Sequence, residues 1–184
     1  GVPLSISNLK PNTNFGVFEI GMDKKGEINN LSKIVKPEIA VITNIAEAHL
    51  KNFRTTKEIA KAKGEIINNI LKGGNIILNK DDNFFNLLSK KAKNCRIKVI
   101  SFSSKQQADI FLLRIVKTKS YYKLAVSVRK KLFYFYSNNI TNSFINNSLA
   151  CIAILYTLNL NLNNIKKTFL SFAIPNGRGD ITVV

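Results

Sequence analysis

The sequence predicts an α/β domain with a mostly parallel sheet, flanking helices and a small antiparallel extension. Short apolar strand-like segments alternate with helix-like segments up to residue 102, and this order requires right-handed crossovers between parallel strands. After residue 110, three strand-like segments follow one another with tight turns, which indicates antiparallel pairing. A chain of 184 residues, 45% of them apolar, is long enough for one domain with its own core.

The first half contains four predicted strands and three predicted helices. The strands lie at residues 14–20 (ending in VFEI), 39–43, 75–78 and 97–102, and the helices lie at residues 26–35, 55–71 and 82–93. Pro37 ends the first helix, and Thr55 or Thr56 can cap the second. Gly73 and Gly74 close the second helix. Because the strands read as short apolar runs, we expect helices on both faces of the sheet.

The second half contains the antiparallel strands and two further helices. The strands are predicted at residues 110–116, 121–128 and 131–136, and the helices at residues 142–158 and 162–172. Asn161 is the expected cap of the last helix, and Pro175 with Gly177 marks an exit linker. The chain starts at Gly1 without methionine and ends just after a glycine–arginine turn. We expect both ends to be cuts through a larger protein.

The net charge of +17 has two interpretations. A functional one is an anionic partner such as nucleic acid, a membrane surface or a nucleotide. The other is compositional drift, since 23 of the 28 basic residues are lysines that are scattered along the chain. We favour drift and expect no nucleic-acid partner. A basic nucleic-acid-binding domain is the alternative of another class, and it predicts a clustered basic face and affinity that falls steeply with salt.

The two cysteines indicate a reducing compartment. Cys95 and Cys151 lie far apart, without the spacing of a metal site, so a cytoplasmic location is expected. The sequence shows no signal peptide, and its longest apolar run, residues 149–158, is too short to span a bilayer. Of the oligomeric states, a monomer is the expectation.

Polar residues follow the predicted strands where each of them ends. They are Glu19 to Gly21, Thr43 with Asn44, and Asn79 followed by Asp81 and Asp82. Because ligands bind outside the carboxyl ends of parallel strands, we expect these groups at one edge of the sheet. The plainer interpretation is that Asn and Asp simply begin loops.

Glu19 is the candidate that the plain interpretation explains least. It shares a face with Val17 in a strand that is expected to be covered on both sides. An ionised carboxylate in that place costs several kcal/mol unless a cation or hydrogen-bond donors compensate it. A metal ion is the natural compensation.

A histidine and a lysine follow the second strand. His49 is the only histidine. A lone histidine is more often a hydrogen-bonded structural residue, but a position in the loop after Asn44 strengthens the interpretation as a metal ligand or a donor to phosphate. Lys63 falls on the apolar stripe of a helix with Ile59 and Ile66, whereas Lys61 lies off it. Its stem either passes the core to reach water, or its pKa is lowered. A neutral amine can capture carbon dioxide and become a carbamate, which is an anionic metal ligand.

Seven short strings of residues, in order along the chain, carry a family resemblance. They are GVPLS at residues 1–5, FEIGMDKKGEI at 18–28, TNIAEAHLKNF at 43–53, AKGEI at 62–66 and LNKDD at 78–82, with NNSLA and GRGDI near the end. These resemble the central, ATP-binding domain of the Mur ligases across essentially the whole chain. Within that family they are most similar to the MurF type, which adds D-alanyl-D-alanine to UDP-N-acetylmuramoyl-tripeptide. Other Mur ligases and folylpolyglutamate synthases share the pattern and remain alternatives.

The resemblance implies a reaction, its cofactors and roles for the residues. ATP phosphorylates the peptide carboxylate, an amine attacks the acyl phosphate, and the product serves peptidoglycan synthesis in the bacterial cytoplasm. Glu19 would bind the Mg²⁺ that bridges the β- and γ-phosphates, and His49 a second Mg²⁺. Lys63 matches a lysine that is carbamylated in several members. Magnesium prefers oxygen ligands, so a carbamate serves where an ammonium would repel.

Further matches concern the nucleotide. Asn147 matches an asparagine that contacts adenine, and Arg178 matches a domain-end arginine near the nucleotide. Asn44 and Asn79 are lesser candidates that either bind nucleotide or only shape their loops.

The sequence also departs from the family pattern. The phosphate-binding glycine loop of the GxxGKT type is expected just upstream of Gly1, and the UDP-binding and C-terminal domains are absent. Ser143 stands where the MurF type often has histidine, and Lys51 replaces a common acidic residue. We therefore expect an incomplete central domain that is inactive alone.

Overall fold

The computed structural model describes residues 1–46 and 52–172. Within these ranges, helices pack on both faces of a single mixed sheet. The helices are α1 (Val2–Ser7), α2 (Glu27–Val35), α3 (Thr56–Lys63), α4 (Phe85–Asn94) and α5 (Asn142–Thr157). The strands are β1 (Ile39–Ile42), β2 (Asn75–Asn79), β3 (Lys98–Ser103), β4 (Ile110–Lys117), β5 (Tyr122–Val128) and β6 (Lys131–Ser137).

The six strands are ordered β1-β2-β3-β4-β5-β6. The pairs from β1 to β4 are parallel, and the pairs β4–β5 and β5–β6 are antiparallel. The fourth strand therefore belongs to both parts, because Phe102 of β3 pairs with Ile110 of β4 in the parallel sense. The predicted fold class, a parallel sheet with an antiparallel extension, is confirmed.

The strand next to the β1 edge, β2, is covered on both faces. Ile77 packs in the core under α5, whereas Ile76 and Leu78 pack in the core under α4. None of these three side chains is more than 1% exposed, which explains why the strand reads as a continuous apolar run. The longest helix, α5, has 16 residues, and no helix in the described ranges is long and apolar enough to cross a bilayer.

A third, smaller core joins the segment around residue 20 to α3. Its buried members are Met22, Ile28, Phe53, Ile59 and Ala62, and the side chains of Ile20, Ile45 and Ile66 pack against them partly buried. This cluster brings the predicted Glu19 segment, the loop after β1 and α3 together.

The predicted strand at residues 14–20 does not form. Val17 is 95% exposed, and Glu19 is exposed as well. A strand requires a neighbour whose backbone completes its hydrogen bonds, and β1 is an edge strand whose outer side no described strand pairs. The segment therefore stays irregular, and the argument that Glu19 needs a metal because it is buried in a strand was wrong.

The predicted helix at residues 55–71 is shorter than expected. Thr55 caps it as predicted, with its hydroxyl oxygen accepting from the Glu58 N–H at 3.2 Å, but α3 ends at Lys63. A tighter 3₁₀ helix then covers Gly64–Asn69. A Cβ on Gly64 would lie 2.8 Å from Leu88 Cδ2, so close packing against α4 shapes this point.

The last predicted helix, at residues 162–172, is also wrong. Two short 3₁₀ helices, Leu162–Ile165 and Thr168–Leu170, replace it, although Asn161 does cap the first of them. The Lys166 carbonyl accepts from the Tyr136 N–H of β6 at 2.9 Å. This bond turns the Lys166 carbonyl toward the sheet, which interrupts a regular helix.

Gly74 allows β1 and β2 to approach each other closely, and Gly74→Ala is expected to lower the free energy of unfolding by about 3 kcal/mol. An added Cβ would lie 2.5 Å from the Glu38 carbonyl oxygen, which accepts the Asn75 N–H. Gly73→Ala is the matched control, because its Cβ would meet open space and only its φ of +84° adds strain of about 1 kcal/mol. Urea unfolding of both variants checks this, and equal losses would contradict it.

Candidate functional site

A cavity of about 400 Å³ opens at the carboxyl ends of β1 and β2. Its lining comes from the loop after β1, the start of α3 and the segment before α4, namely Ile45, Ala46, Thr56, Asp81, Asp82, Asn83 and Phe84. This is the edge at which the sequence predicted a ligand site.

Two of the three predicted groups of polar residues meet at this edge. The Asn79 side-chain amide donates to the Thr43 carbonyl at 3.2 Å, which joins the ends of β2 and β1. Asn79 also accepts the Asp81 N–H at 2.9 Å. Both bonds shape loops, whereas Asn44 has an exposed side chain and contributes its backbone carbonyl to the site.

Lys63 also reaches this edge, from the end of α3. Its ammonium nitrogen Nζ donates to the Asn44 carbonyl at 2.9 Å. The side chain is half-buried while that of Lys61 is exposed, which agrees with its place on the apolar stripe. Burial lowers the pKa of Lys63, and the nearby Asp82 carboxylate opposes that shift. Lowering of this pKa favours the neutral amine that carbamate formation requires.

Asp82 binds backbone N–H groups on both sides of the cavity. Its Oδ2 accepts from the Ile45 N–H and its Oδ1 from the Phe84 N–H, each at 2.8 Å. Asp81 faces the opposite way, and accepts from the Ser103 hydroxyl at 2.6 Å and the Ser104 N–H at 2.7 Å. Two adjacent carboxylates therefore fix two different loops.

Acid is expected to weaken the fold through Asp81. Burial alone would raise the pKa of Asp81, but hydrogen bonds from Ser103, Ser104 and Gln106 together lower it. A lowered folded-state pKa means that the stabilisation is present above the unfolded value of about 3.9 and is lost as the pH falls through the folded value. Asp81→Asn should lower the unfolding free energy at pH 7 by under about 1 kcal/mol, since the group is partly solvated. Urea unfolding should show this difference shrinking below pH 4, and a constant difference would contradict the assignment.

The structure does not place the other predicted site residues in the cavity lining. The Glu19 side chain is exposed, and it accepts no hydrogen bond within the described part of the chain. Asn147 is exposed on α5, which packs on β2, β3 and β4. His49 and Arg178 lie outside the described residues, and within residues 1–46 and 52–172 no three His, Cys, Asp or Glu side chains form a metal-binding group.

Sequence reasoning missed the role of Glu65. Its two carboxylate oxygens accept the Gly26 N–H at 2.9 and 3.0 Å, and Oε2 also accepts the Asn29 N–H in the first turn of α2 at 3.1 Å. This carboxylate holds the start of α2, the element that follows the Glu19 segment, against the end of α3. The glutamate was visible in the AKGEI string, but nothing in the sequence showed that its partners lie about forty residues away.

Comparison with known proteins gives the same picture along the whole chain. The family model "Mur ligase middle domain" matches residues 1–155. The UDP-N-acetylmuramoyl-tripeptide–D-alanyl-D-alanine ligase of Rickettsia prowazekii is 33% identical over an alignment of 184 residues, which covers 98% of this chain and 40% of that protein.

Solved structures share the fold. MurF from Acinetobacter baumannii superposes with a TM-score of 0.86 at 28% identity, over 96% of this chain and 38% of that one. MurF from Thermotoga maritima, solved in complex with ADP, gives 0.82 at 24% identity over 97% and 40%, and shows the fold alone.

The chain spans about 40% of the length of these relatives. The family match nevertheless covers well over half of the chain, and it includes the cavity edge, α3 and nearly all of α5. The chain belongs to the Mur ligase middle-domain family.

Proposed function

We propose that this chain is the nucleotide-binding central domain of an ATP-dependent ligase that adds D-alanyl-D-alanine to UDP-N-acetylmuramoyl-tripeptide. The observation that carries the proposal is the 33% identity to such a ligase across 98% of the chain. The arrangement at the carboxyl ends of β1 and β2 supports it. There a half-buried lysine, two carboxylates and an open cavity lie together at the edge where parallel α/β sheets bind ligands.

Two side chains at or near this edge, Lys63 and Glu19, would bind the cations that accompany an anionic ligand. Lys63 presents Nζ beside Asn44, and a carbamate formed there from the neutral amine and carbon dioxide releases one proton and keeps one N–H for the Asn44 carbonyl. Its two new oxygens would replace a positive group with an anionic one. The Glu19 side chain is exposed and accepts no hydrogen bond from described residues, so its carboxylate oxygens are available as metal ligands.

The donor set suits magnesium better than a softer metal. Glu19 and a carbamylated Lys63 would supply oxygens, and His49 is assigned to a second ion by the family resemblance alone. When bound, Mg²⁺ neutralises the phosphate oxygens that phosphoryl transfer brings together. Asn147 and Arg178 are assigned to adenine and to phosphate or ribose oxygens on the same basis.

The complete enzyme that this proposal implies is tested by its substrate choice. Release of ADP should require UDP-N-acetylmuramoyl-tripeptide and D-alanyl-D-alanine together, and the product should carry the dipeptide in an amide bond. A preference for a single amino acid over the dipeptide would instead indicate another Mur ligase or a folylpolyglutamate synthase-like activity. We expect a cytoplasmic enzyme that acts as a monomer and does not bind nucleic acid.

The 184-residue chain alone is expected to be inactive as a ligase. Its sequence contains no GxxGKT-type loop, whose backbone N–H groups and lysine would cradle the triphosphate. ATP turnover by the isolated chain would contradict this expectation.

A further inference from the structure

Three side chains hold three consecutive residues of the loop after β1. Thr43 is bound through its carbonyl by Asn79, Asn44 through its carbonyl by Lys63, and Ile45 through its N–H by Asp82. The three side chains come from the end of β2, the end of α3 and the segment before α4. We call Asn79, Lys63 and Asp82 the loop clamp. Because its members belong to separate elements, the loop is fixed relative to the sheet and to both helices.

Two members of the loop clamp are themselves oriented by nearby backbone. Asp82 uses its second oxygen to accept the Phe84 N–H at 2.8 Å, and Asn79 uses its oxygen to accept the Asp81 N–H at 2.9 Å. A carboxylate that accepts two short backbone N–H bonds has little rotational freedom. Both side chains are half-buried, and the two bonds that orient them are partly buried as well.

We infer that Asp82 and Asn79 are positioning residues for the loop after β1, residues 43–45, and thereby for the Lys63 amine that binds the Asn44 carbonyl. The inference rests on the proposed function. It assigns neither Asp82 nor Asn79 a contact with the reacting atoms. Asn44 lies between the two residues that Asn79 and Asp82 hold, so a backbone shift at residues 43–45 moves the carbonyl to which Lys63 Nζ donates. A displacement of about 1 Å at a reacting group can cost about 10²-fold in rate.

Asp82→Ala and Asn79→Ala in the complete enzyme test this inference. We expect Asp82→Ala to lower kcat by about 10- to 100-fold, and Asn79→Ala by less, because Asn79 holds the loop through a single neutral hydrogen bond to Thr43 and its other bond is to Asp81. Amide hydrogen exchange of residues 43–46 should accelerate in both variants, whether or not the enzyme turns over. Asp82→Asn should recover part of kcat, since its amide oxygen can still accept one N–H.

Asp109→Ala is the matched control. Asp109 also accepts a backbone N–H, from Ser101 at 2.9 Å, and pairs with Arg129 at 3.0 Å, but it does not touch residues 43–45. It should lose a comparable amount of stability while kcat and the exchange at residues 43–46 stay unchanged. If Asp82→Ala does not fold, Asn79→Ala and Asp82→Asn carry the test.

The outcomes distinguish a failure of the proposed function from a failure of the positioning role. An inactive wild-type enzyme would overturn the proposed function, yet the exchange measurement would still judge the loop clamp. An active enzyme whose Asp82 and Asn79 variants keep wild-type kcat, or wild-type exchange at residues 43–46, would overturn the positioning role.

Discussion

Lys63→Ala in the complete enzyme is expected to lower kcat by about 10²- to 10³-fold, the range found when one preorganised electrostatic group is removed from an active site. The side chain is half-buried at the cavity edge, and its Nζ binds the Asn44 carbonyl at 2.9 Å. The substitution removes that bond and also the only amine that the described part of the chain places against this carbonyl. Steady-state kinetics with saturating ATP and both substrates measures the loss.

Lys61→Ala is the matched control, because Lys61 lies on the same helix with an exposed side chain. Its activity should stay within about twofold of the wild type, since an isolated exposed charge contributes little. Unchanged activity in Lys63→Ala itself would show that Lys63 has no role in the reaction.

Chemical rescue separates the two chemical forms of Lys63. Recovery of Lys63→Ala by a short carboxylic acid such as formate or acetate is expected if the functional form is the carbamate, since the added carboxylate supplies the missing oxygens. Recovery by a small primary amine would instead show that the ammonium form, donating to Asn44, is what the reaction requires. The two additives should not both succeed to the same extent.

The layered fold was predictable because burial on two faces leaves a direct mark on the sequence. The run Asn75–Asn79 is apolar because Ile76 and Ile77 enter different cores, and no helix-forming period competes with that pattern. The place of Lys63 was predictable for a similar reason, since helical spacing alone sets it beside Ile59.

Other features could not be predicted, since they depend on partners that are distant in sequence. VFEI at residues 17–20 has the composition of a strand, but a strand exists only where a neighbour pairs with it. Asp81 and Asp82 are identical neighbours in the sequence, which does not distinguish their roles. In the structure, Asp81 accepts from the Ser103 hydroxyl and Asp82 accepts from the Ile45 N–H. The Lys166 carbonyl likewise accepts the Tyr136 N–H of β6, and this bond interrupts a helix that local propensity favoured.

Phe53→Ala is expected to lower the free energy of unfolding by about 3–5 kcal/mol, as for other buried phenylalanines. Phe53 is 2% exposed and lies in the core that joins Met22, Ile59 and the partly buried Ile45. The cavity left by its ring would border the Glu19 segment, α3 and the loop after β1. Loss of this one side chain should therefore loosen the candidate site as well as the fold.

Phe135→Ala distinguishes these two effects. Phe135 is fully buried in the core under α5, where its ring lies 4.7 Å from that of Phe169, so a similar stability loss is expected. Urea unfolding measures both losses, and amide hydrogen exchange below the unfolding transition should accelerate at residues 20–22 and 43–46 only in Phe53→Ala. If both variants exchange alike there, or if Phe53→Ala costs less than about 1 kcal/mol, the small core does not hold the site together. Local acceleration confined to Phe53→Ala would instead mean that this core, separate from the two that cover the sheet, fixes the position of the cavity edge.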